Sequence, residues 1–362
     1  MLKTISVKTQ VRRLKYFSKA LNFIGKKGIP KSILETRLIK WSEENHDDFE
    51  AYLYSSGELT KKKINSPSFL NYYEALIRID LINEQSGLVL LSKTGAVFYE
   101  AFKLFDTSDN TNVYSLNSLE SFFYLNCILS KDTDLLLTVI SQLYNFKEMT
   151  IGYYQENFKS NYLERLINKK DLPFSYNEKV ELSDVISRVS GWKSPKRYSE
   201  DIVPPRINWM ADIGIVELKD TNVFTFTDVG SVIANELLND DHLFNDSDNW
   251  ISNNFCSVFS KAFIKIPTRK WSHIEEIERE KLIGEGIDLS LRAFKVLGLS
   301  RLSVNQCFLF IQIYLLFKYK LIAEINDIGD WIGFEKFIGD KKIGLRKSAR
   351  SYESYIIVAY AQ

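Results

Sequence analysis

Residues 76–95 read LIRIDLINEQSGLVLLSKTG, and residues 210–230 read MADIGIVELKDTNVFTFTDVG. With Leu76 set on Met210, the pairs Ile79/Ile213, Leu81/Ile215 and Ile82/Val216 fall in register, and Gly95 meets Gly230 after one extra residue in the second stretch. In each stretch a helical apolar spacing (Leu76, Ile77, Ile79; Met210, Ala211, Ile213) gives way to a short β-like run, a polar turn and a second β-like run. The spacing predicts helix, strand, turn, strand, twice over. Gly214 stands at the switch from helix to strand, where a left-handed residue stops a helix and redirects the chain. The first copy has Asp80 there, one of the few non-glycine residues that tolerate positive φ. Ser92-Lys93-Thr94-Gly95 and Thr227-Asp228-Val229-Gly230 then open amphipathic runs over 96–105 and 231–238, each with a hydroxyl residue placed to cap it.

This order resembles the winged-helix family: helices, a recognition helix ending in a phrase like ADIGIVEL, a β-hairpin wing, and Thr/Ser-x-x-Gly leading into a trailing helix. The resemblance covers residues 14–105 and 130–240. It implies a mainly α fold with small β-hairpin wings (α+β), arranged as two tandem winged-helix domains followed by a helical C-terminal domain. The expected boundaries are 1–110 for the first winged-helix domain with a basic arm, 111–245 for the second, and 246–362 for the helical domain with a basic tail. Two unrelated helix–hairpin units remain the alternative. A looser, architectural likeness, a helix–wing unit repeated after an insertion, is to the recognition regions of type IIS restriction endonucleases of the FokI and AlwI type.

Further elements follow from local signals. Helices are expected over 14–24 and 31–41, split by Gly25-Lys26-Lys27-Gly28-Ile29-Pro30, with a loop over 42–57. The first recognition helix takes Ser66 as N-cap and Pro67 at its first position. The second unit uses helices over 133–144, 152–167 and 182–189, and Pro204-Pro205 starts its last helix. Beyond residue 246, helices are expected over 251–264, 274–298 and 304–325, the last nearly apolar all round. Gly284-Glu285-Gly286 reads as a helix break. The tail over 337–360 alternates as a short strand or two.

The chain has 362 residues, 45% hydrophobic and 26% charged, enough for two or three domains with their own cores. The opening MLKTISVKTQVRRLKYF lacks a signal-like apolar core, and the longest apolar run, 307–317, is too short to span a bilayer. The expectation is a cytoplasmic protein that makes no membrane contact. Cys127, Cys256 and Cys307 suggest neither a disulfide framework nor a zinc site. Net charge is only +1, yet residues 1–40 hold eleven basic residues against the single acid Glu35. Such polarisation suits either a DNA-facing arm or a solvated basic surface.

With the winged-helix resemblance, the expected partner is double-stranded DNA. Phosphate contacts fall to Arg12, Arg13 and Lys15 of the arm, to Lys61, Lys62 and Lys63, to Lys193, Lys196 and Arg197, and to Lys341, Lys342, Arg346, Lys347 and Arg350 of the tail. Base readout falls to Ser68, Asn71 and Tyr72 in the first unit and to Tyr198, Arg206 and Asn208 in the second, because a recognition helix enters the groove by its N-terminal end. Clustered Phe69, Tyr72, Tyr73, Phe122, Phe123 and Tyr124 suit a core better than base stacking.

No catalytic residue, metal or cofactor is assigned. Phosphate-loop and dinucleotide signatures are absent, and His46, His242 and His273 are isolated. Two nuclease-like spacings occur, Asp327 before Asp340-Lys341-Lys342 and Asp201 before Glu217-Leu218-Lys219, but neither has the strand context a Mg²⁺ site needs. The leading expectation is a sequence-specific recognition subunit of a restriction or antiphage assembly, with a protein partner carrying any catalysis. A type II-like endonuclease with a C-terminal metal site, a protein-interaction scaffold and a transcription regulator are the alternatives.

Overall fold

In a computed structural model the chain is mainly helical, 65% helix against 14% strand, with small antiparallel sheets. The structure describes residues 2–52, 57–60, 68–105, 112–220, 223–264, 266, 268–295, 301–339, 341–347 and 354–360. The first repeat runs α1 (Lys15–Ile24), β1 (Ile29–Pro30), α2 (Lys31–Glu44), α3 (His46–Glu50), α4 (Phe69–Arg78), β2 (Ile82–Gln85), β3 (Leu88–Leu91) and α5 (Lys93–Phe105). The second runs α6 (Ser118–Phe146), β4 (Glu148–Thr150), α7 (Ile151–Asn168), α8 (Tyr176–Ser190), α9 (Pro195–Ser199), α10 (Val203–Ile213), β5 (Val216–Asp220), β6 (Val223–Phe226), α11 (Asp228–Leu238) and α12 (Asp241–Asn245). In both, the strand before the second helix pairs with the last strand of the hairpin, giving the orders β1-β3-β2 and β4-β6-β5.

The helix-to-hairpin switch is the same in both copies, hydrogen bond for hydrogen bond. The Leu81 and Ile215 amides donate to the carbonyls of Leu76 and Met210 at 2.9 and 2.8 Å, and the Asp80 and Gly214 amides donate to Ile77 and Ala211 at 3.0 Å each. This 6→1, 5→2 pair is the Schellman stop, which needs a left-handed residue between. Asp80 has φ 65° and Gly214 φ 88°. After each hairpin a hydroxyl caps the next helix: the Gly95 amide donates to Ser92 Oγ and the Gly230 amide to Thr227 Oγ1, both at 2.9 Å. A Cβ added at Gly214 meets nothing within 4 Å, so Gly214→Ala carries only backbone strain and is expected to cost about 1 kcal/mol, while Asp80→Gly is expected to be near neutral. Urea denaturation of the two variants checks this; a wild-type midpoint for Gly214→Ala rules out the strained turn.

The chain divides into two compact units, Met1–Leu90 with Ser108–Asn249, and Leu91–Thr107 with Trp250–Gln362. The two repeats expected as separate domains therefore share one unit, and α5 is counted with the C-terminal region. Within the first unit, residues 2–14 form an extended strap in which Ile5, Val7 and Val11 are buried while Thr4, Ser6 and Lys8 are exposed. The strap is tied to two helices. Ile5 N–H donates to Asp132 Oδ1 at 3.0 Å, and Lys3 N–H to Asp134 Oδ2 at 2.8 Å, both carboxylates at a kink in α6 where Asp132 leaves helical φ/ψ. Leu14 N–H donates to Asp212 of α10 at 2.8 Å, and Trp209 Nε1–H donates to the Val11 carbonyl at 2.9 Å. The expected helix start at 133 falls directly after that kink, where the second helical segment of α6 begins; the segment from Ser118 up to the kink was not expected.

The second unit adds α13 (Ser247–Phe263), β7 (Arg269–Lys270), α14 (Glu276–Phe294), β8 (Arg301–Ser303), α15 (Val304–Tyr319), β9 (Leu321–Ile322), α16 (Ile325–Ile332), β10 (Glu335–Ile338), β11 (Lys341–Lys347) and β12 (Ser354–Tyr360). The region expected to be helical thus holds a four-stranded antiparallel sheet, ordered β10-β11-β12-β8. Here too the strand before a helix, β8, pairs with the last strand of the meander. The expected helix over 304–325 ends at Tyr319 because Lys320 turns left-handed at φ 53°. Gly284 and Gly286 do not break α14: a Cβ at Gly286 would lie 2.9 Å from Ile311, so the glycine lets α15 approach closely. The polar stretch 42–57 was expected to be loop but contains α3, anchored by buried Phe49. Cys127, Cys256 and Cys307 are buried, and burial pushes the Cys307 thiol up to about 12. Among the described residues no helix is long and apolar enough to cross a membrane.

Candidate nucleic-acid interface

Five of the expected DNA contacts are interior. Arg13 is fully buried and pairs with Asp212 at 2.9 Å. Lys15 gives both Glu120 oxygens hydrogen bonds of 2.9 and 2.7 Å. Arg206 clasps Asp132 through Nε at 2.7 Å and Nη2 at 2.9 Å, and also donates to the carbonyls of Ile202 and Ile5. Asn208 donates to the Pro204 carbonyl at 2.7 Å, and Tyr72 donates to the Gly57 carbonyl at 2.7 Å. A buried charge is tolerated only when paired and hydrogen-bonded, and these partners leave nothing to offer a phosphate. Burial holds the Asp132 and Asp212 carboxyls above their ordinary range, even though Arg206, Arg13 and the Ile5 and Leu14 amides pull them down. All eleven residues of α10 are buried, so the helix expected to read DNA in the second repeat instead receives the strap.

The first repeat fares differently. Ser68 is exposed at the N-cap of α4. Asn71 is half-buried, its amide donating to Gln10 Oε1 at 2.8 Å. The outward face of α4 carries Leu70 and Ile77, 47% and 41% exposed, with Glu74 and Arg78. Arg12 is half-buried and donates from Nε to the Thr9 carbonyl at 2.8 Å, and burial lowers its pKa. Lys61, Lys62, Lys63, Ser66 and Pro67 lie outside the described residues. The six aromatics expected in the core are buried, which is incompatible with Tyr72 reaching a base.

In the tail, Lys341 pairs with Asp288 of α14 at 2.7 Å, and Lys342 and Arg346 share Glu335 at 2.7 and 3.3 Å. Lys347 lies in β11 with its side chain outside the described residues, as Arg350 is altogether. The nuclease-like letters are engaged elsewhere. Asp201 accepts the Thr9 amide at 2.8 Å, Lys219 pairs with Glu148 at 2.8 Å, and Asp327 accepts the Glu324 amide at 2.9 Å; Asp340 lies outside the described residues. Among the described residues no three His, Cys, Asp or Glu side chains gather as a ligand set.

The insertion between α7 and α10 leaves its expected contact residues at the surface. Residues 187–199 contain Arg188, Lys193, Lys196 and Arg197 and no acid, and all four are exposed. Lys196 approaches Glu156 at 3.6 Å, while Arg188, Lys193 and Arg197 make no ion pair among the described residues. Trp192 and Tyr198 stack at 5.2 Å with their planes 14° apart, and Tyr198 is 51% exposed. Three hydrogen bonds hold this surface on α7: Lys159 Nζ donates to the carbonyls of Ser190 and Trp192, and Ser199 Oγ donates to the Gln155 carbonyl at 2.9 Å. Between the strap and α8 runs a groove of about 390 Å³, with Thr4 and Ser6 on one wall, Arg188, Trp192 and Tyr198 on the other, and Tyr162 among its lining. Lys193, Lys196, Arg197 and Tyr198 are legible in the sequence; Trp192 and Arg188 join them only in the fold, although GWKSPKRY interleaves aromatics with cations. No protein-family model, curated protein or solved structure matches this chain.

Proposed function

We propose that this chain is a winged-helix protein that binds double-stranded DNA, with its phosphate contacts on the α8–α9 insertion rather than on the strap or α10. The observation that carries this reading is the exposed set of Arg188, Lys193, Lys196 and Arg197, in a stretch 187–199 without an acid, beside the stacked Trp192 and Tyr198. Exposed Lys and Arg side chains that neutralise phosphates supply the sequence-independent part of nucleic-acid affinity. The winged-helix assignment is supported by the recurring strand order, in which the strand before the second helix lies against the last hairpin strand, and by the duplicated Schellman turn. Within a restriction or antiphage assembly the chain would supply recognition and a partner the chemistry.

Neutralising Lys193, Lys196 and Arg197 together to alanine should make the slope of log K against log[salt] shallower by as much as about 2.7 units, with affinity falling alike on every sequence. Stability should stay within about 0.5 kcal/mol per site, since all three are exposed. Fluorescence anisotropy of a labelled duplex titrated from low to moderate salt reads the slope directly, and an unchanged slope sinks the interface. A second reading, a protein-contact role for the first repeat, is favoured by α4, whose outward Leu70 and Ile77 suit an apolar partner better than a phosphate-lined groove.

A further inference from the structure

Resting on the DNA-binding reading, we infer that the groove between the strap and α8 receives one unpaired nucleobase from the bound strand. Three observations converge there. The groove's volume, about 390 Å³, falls in the range of roughly 300–1,000 Å³ of clefts that bind small molecules. Its α8 side presents two parallel rings, Trp192 and Tyr198, already stacked on one another, so a base continues an existing stack instead of ordering a mobile side chain. Its rim carries Arg188 as a lining residue, and Lys193, Lys196 and Arg197 follow in the same stretch, the charge a phosphodiester on either side of the inserted base requires. The lining acid, Asp201, is already satisfied by the Thr9 amide at 2.8 Å and faces Lys8 at 3.4 Å, so it does not repel the strand as a lone carboxylate would. The strap residues of the lining, Thr4 to Val7, are held by the bonds of the Lys3 and Ile5 amides to Asp134 and Asp132.

A duplex with a single-base bulge should therefore bind the 362-residue chain about tenfold or more tightly than the fully paired duplex of the same sequence, the stacking worth of one base. The bulged base is 2-aminopurine, whose fluorescence reports stacking separately from affinity. Tyr198→Ala should abolish the preference and the fluorescence change, Tyr198→Phe should keep both, and Ser6→Trp should remove both by filling the slot from the exposed strap side. Equal binding of bulged and paired duplexes by the wild type, or a preference that survives Ser6→Trp, overturns the inference. The salt slope of the Lys193, Lys196 and Arg197 variant on paired duplex separates this outcome from failure of the DNA-binding reading: a shallower slope with no bulge preference leaves the phosphate interface standing and removes only the base slot.

Discussion

Arg206→Ala is expected to destabilise the unit that holds both repeats by about 3–5 kcal/mol, because it leaves the Asp132 carboxylate buried without its counter-charge. Arg206 and Asp132 are both fully buried, and their two hydrogen bonds of 2.7 and 2.9 Å form the joint between α10 and the kink of α6. The loss reaches further than the pair, since Arg206 also holds the Ile5 carbonyl at 2.9 Å and Asp132 holds the Ile5 amide at 3.0 Å. Asp132→Ala should cost a similar amount. Replacing both, Arg206→Met with Asp132→Leu, should cost much less than the sum of the single changes, because no charge is stranded. Equilibrium urea denaturation of the four proteins gives the coupling. Single substitutions that cost under 1 kcal/mol would show that the pair is not sealed from water.

Gly230→Ala should be the most damaging glycine substitution in the repeats, at about 3 kcal/mol or more. Its Cβ would lie 1.8 Å from the Ile215 carbonyl oxygen and 2.7 Å from the carbonyl carbon. That backbone has no room to yield: the Ile215 amide is fixed to Met210 at 2.8 Å, and its carbonyl already accepts the Thr227 amide at 3.0 Å. The contrast with Gly214 separates two reasons for a glycine. Gly214 has open space and a left-handed backbone, whereas Gly230 lacks space. A Gly230→Ala protein that melts with the wild type would show that α11 does not sit against the turn.

What was legible in the sequence was local. The Gly214 and Asp80 stops, the Ser92 and Thr227 caps, and the Pro204-Pro205 start of α10 are decided within a few residues, so spacing alone reads them. Burial of charge is not local. Arg13, Lys15 and Arg206 look like surface cations until Asp212, Glu120 and Asp132 come beside them, partners separated by 199, 105 and 74 residues. For the same reason VPPRINWMADI reads as a helix with a polar outer face, although its polar side is where the strap is gripped. The tail misled in the other direction: KKIGLRK reads as a basic edge, yet Ile343, buried in the core cluster, fixes it as a strand of a four-stranded sheet. Of the candidate interface, the cations were legible. The Trp192–Tyr198 stack was not, because two rings six residues apart become parallel only when α9 is clipped to α7.

The strap also sets a timetable for biosynthesis. A ribosome adding about 5–20 residues per second takes on the order of ten to forty seconds to pass from Arg13 to Asp212, 199 positions later. Throughout that interval the nascent chain carries an apolar segment, Ile5, Val7 and Val11, whose partners on α10 have not yet been made, and Asp132, once made, waits a further 74 residues for Arg206. The contacts that Trp209 and Asp212 give residues 11–14 exist only once α10 has been made, so seating of the strap waits for the second repeat.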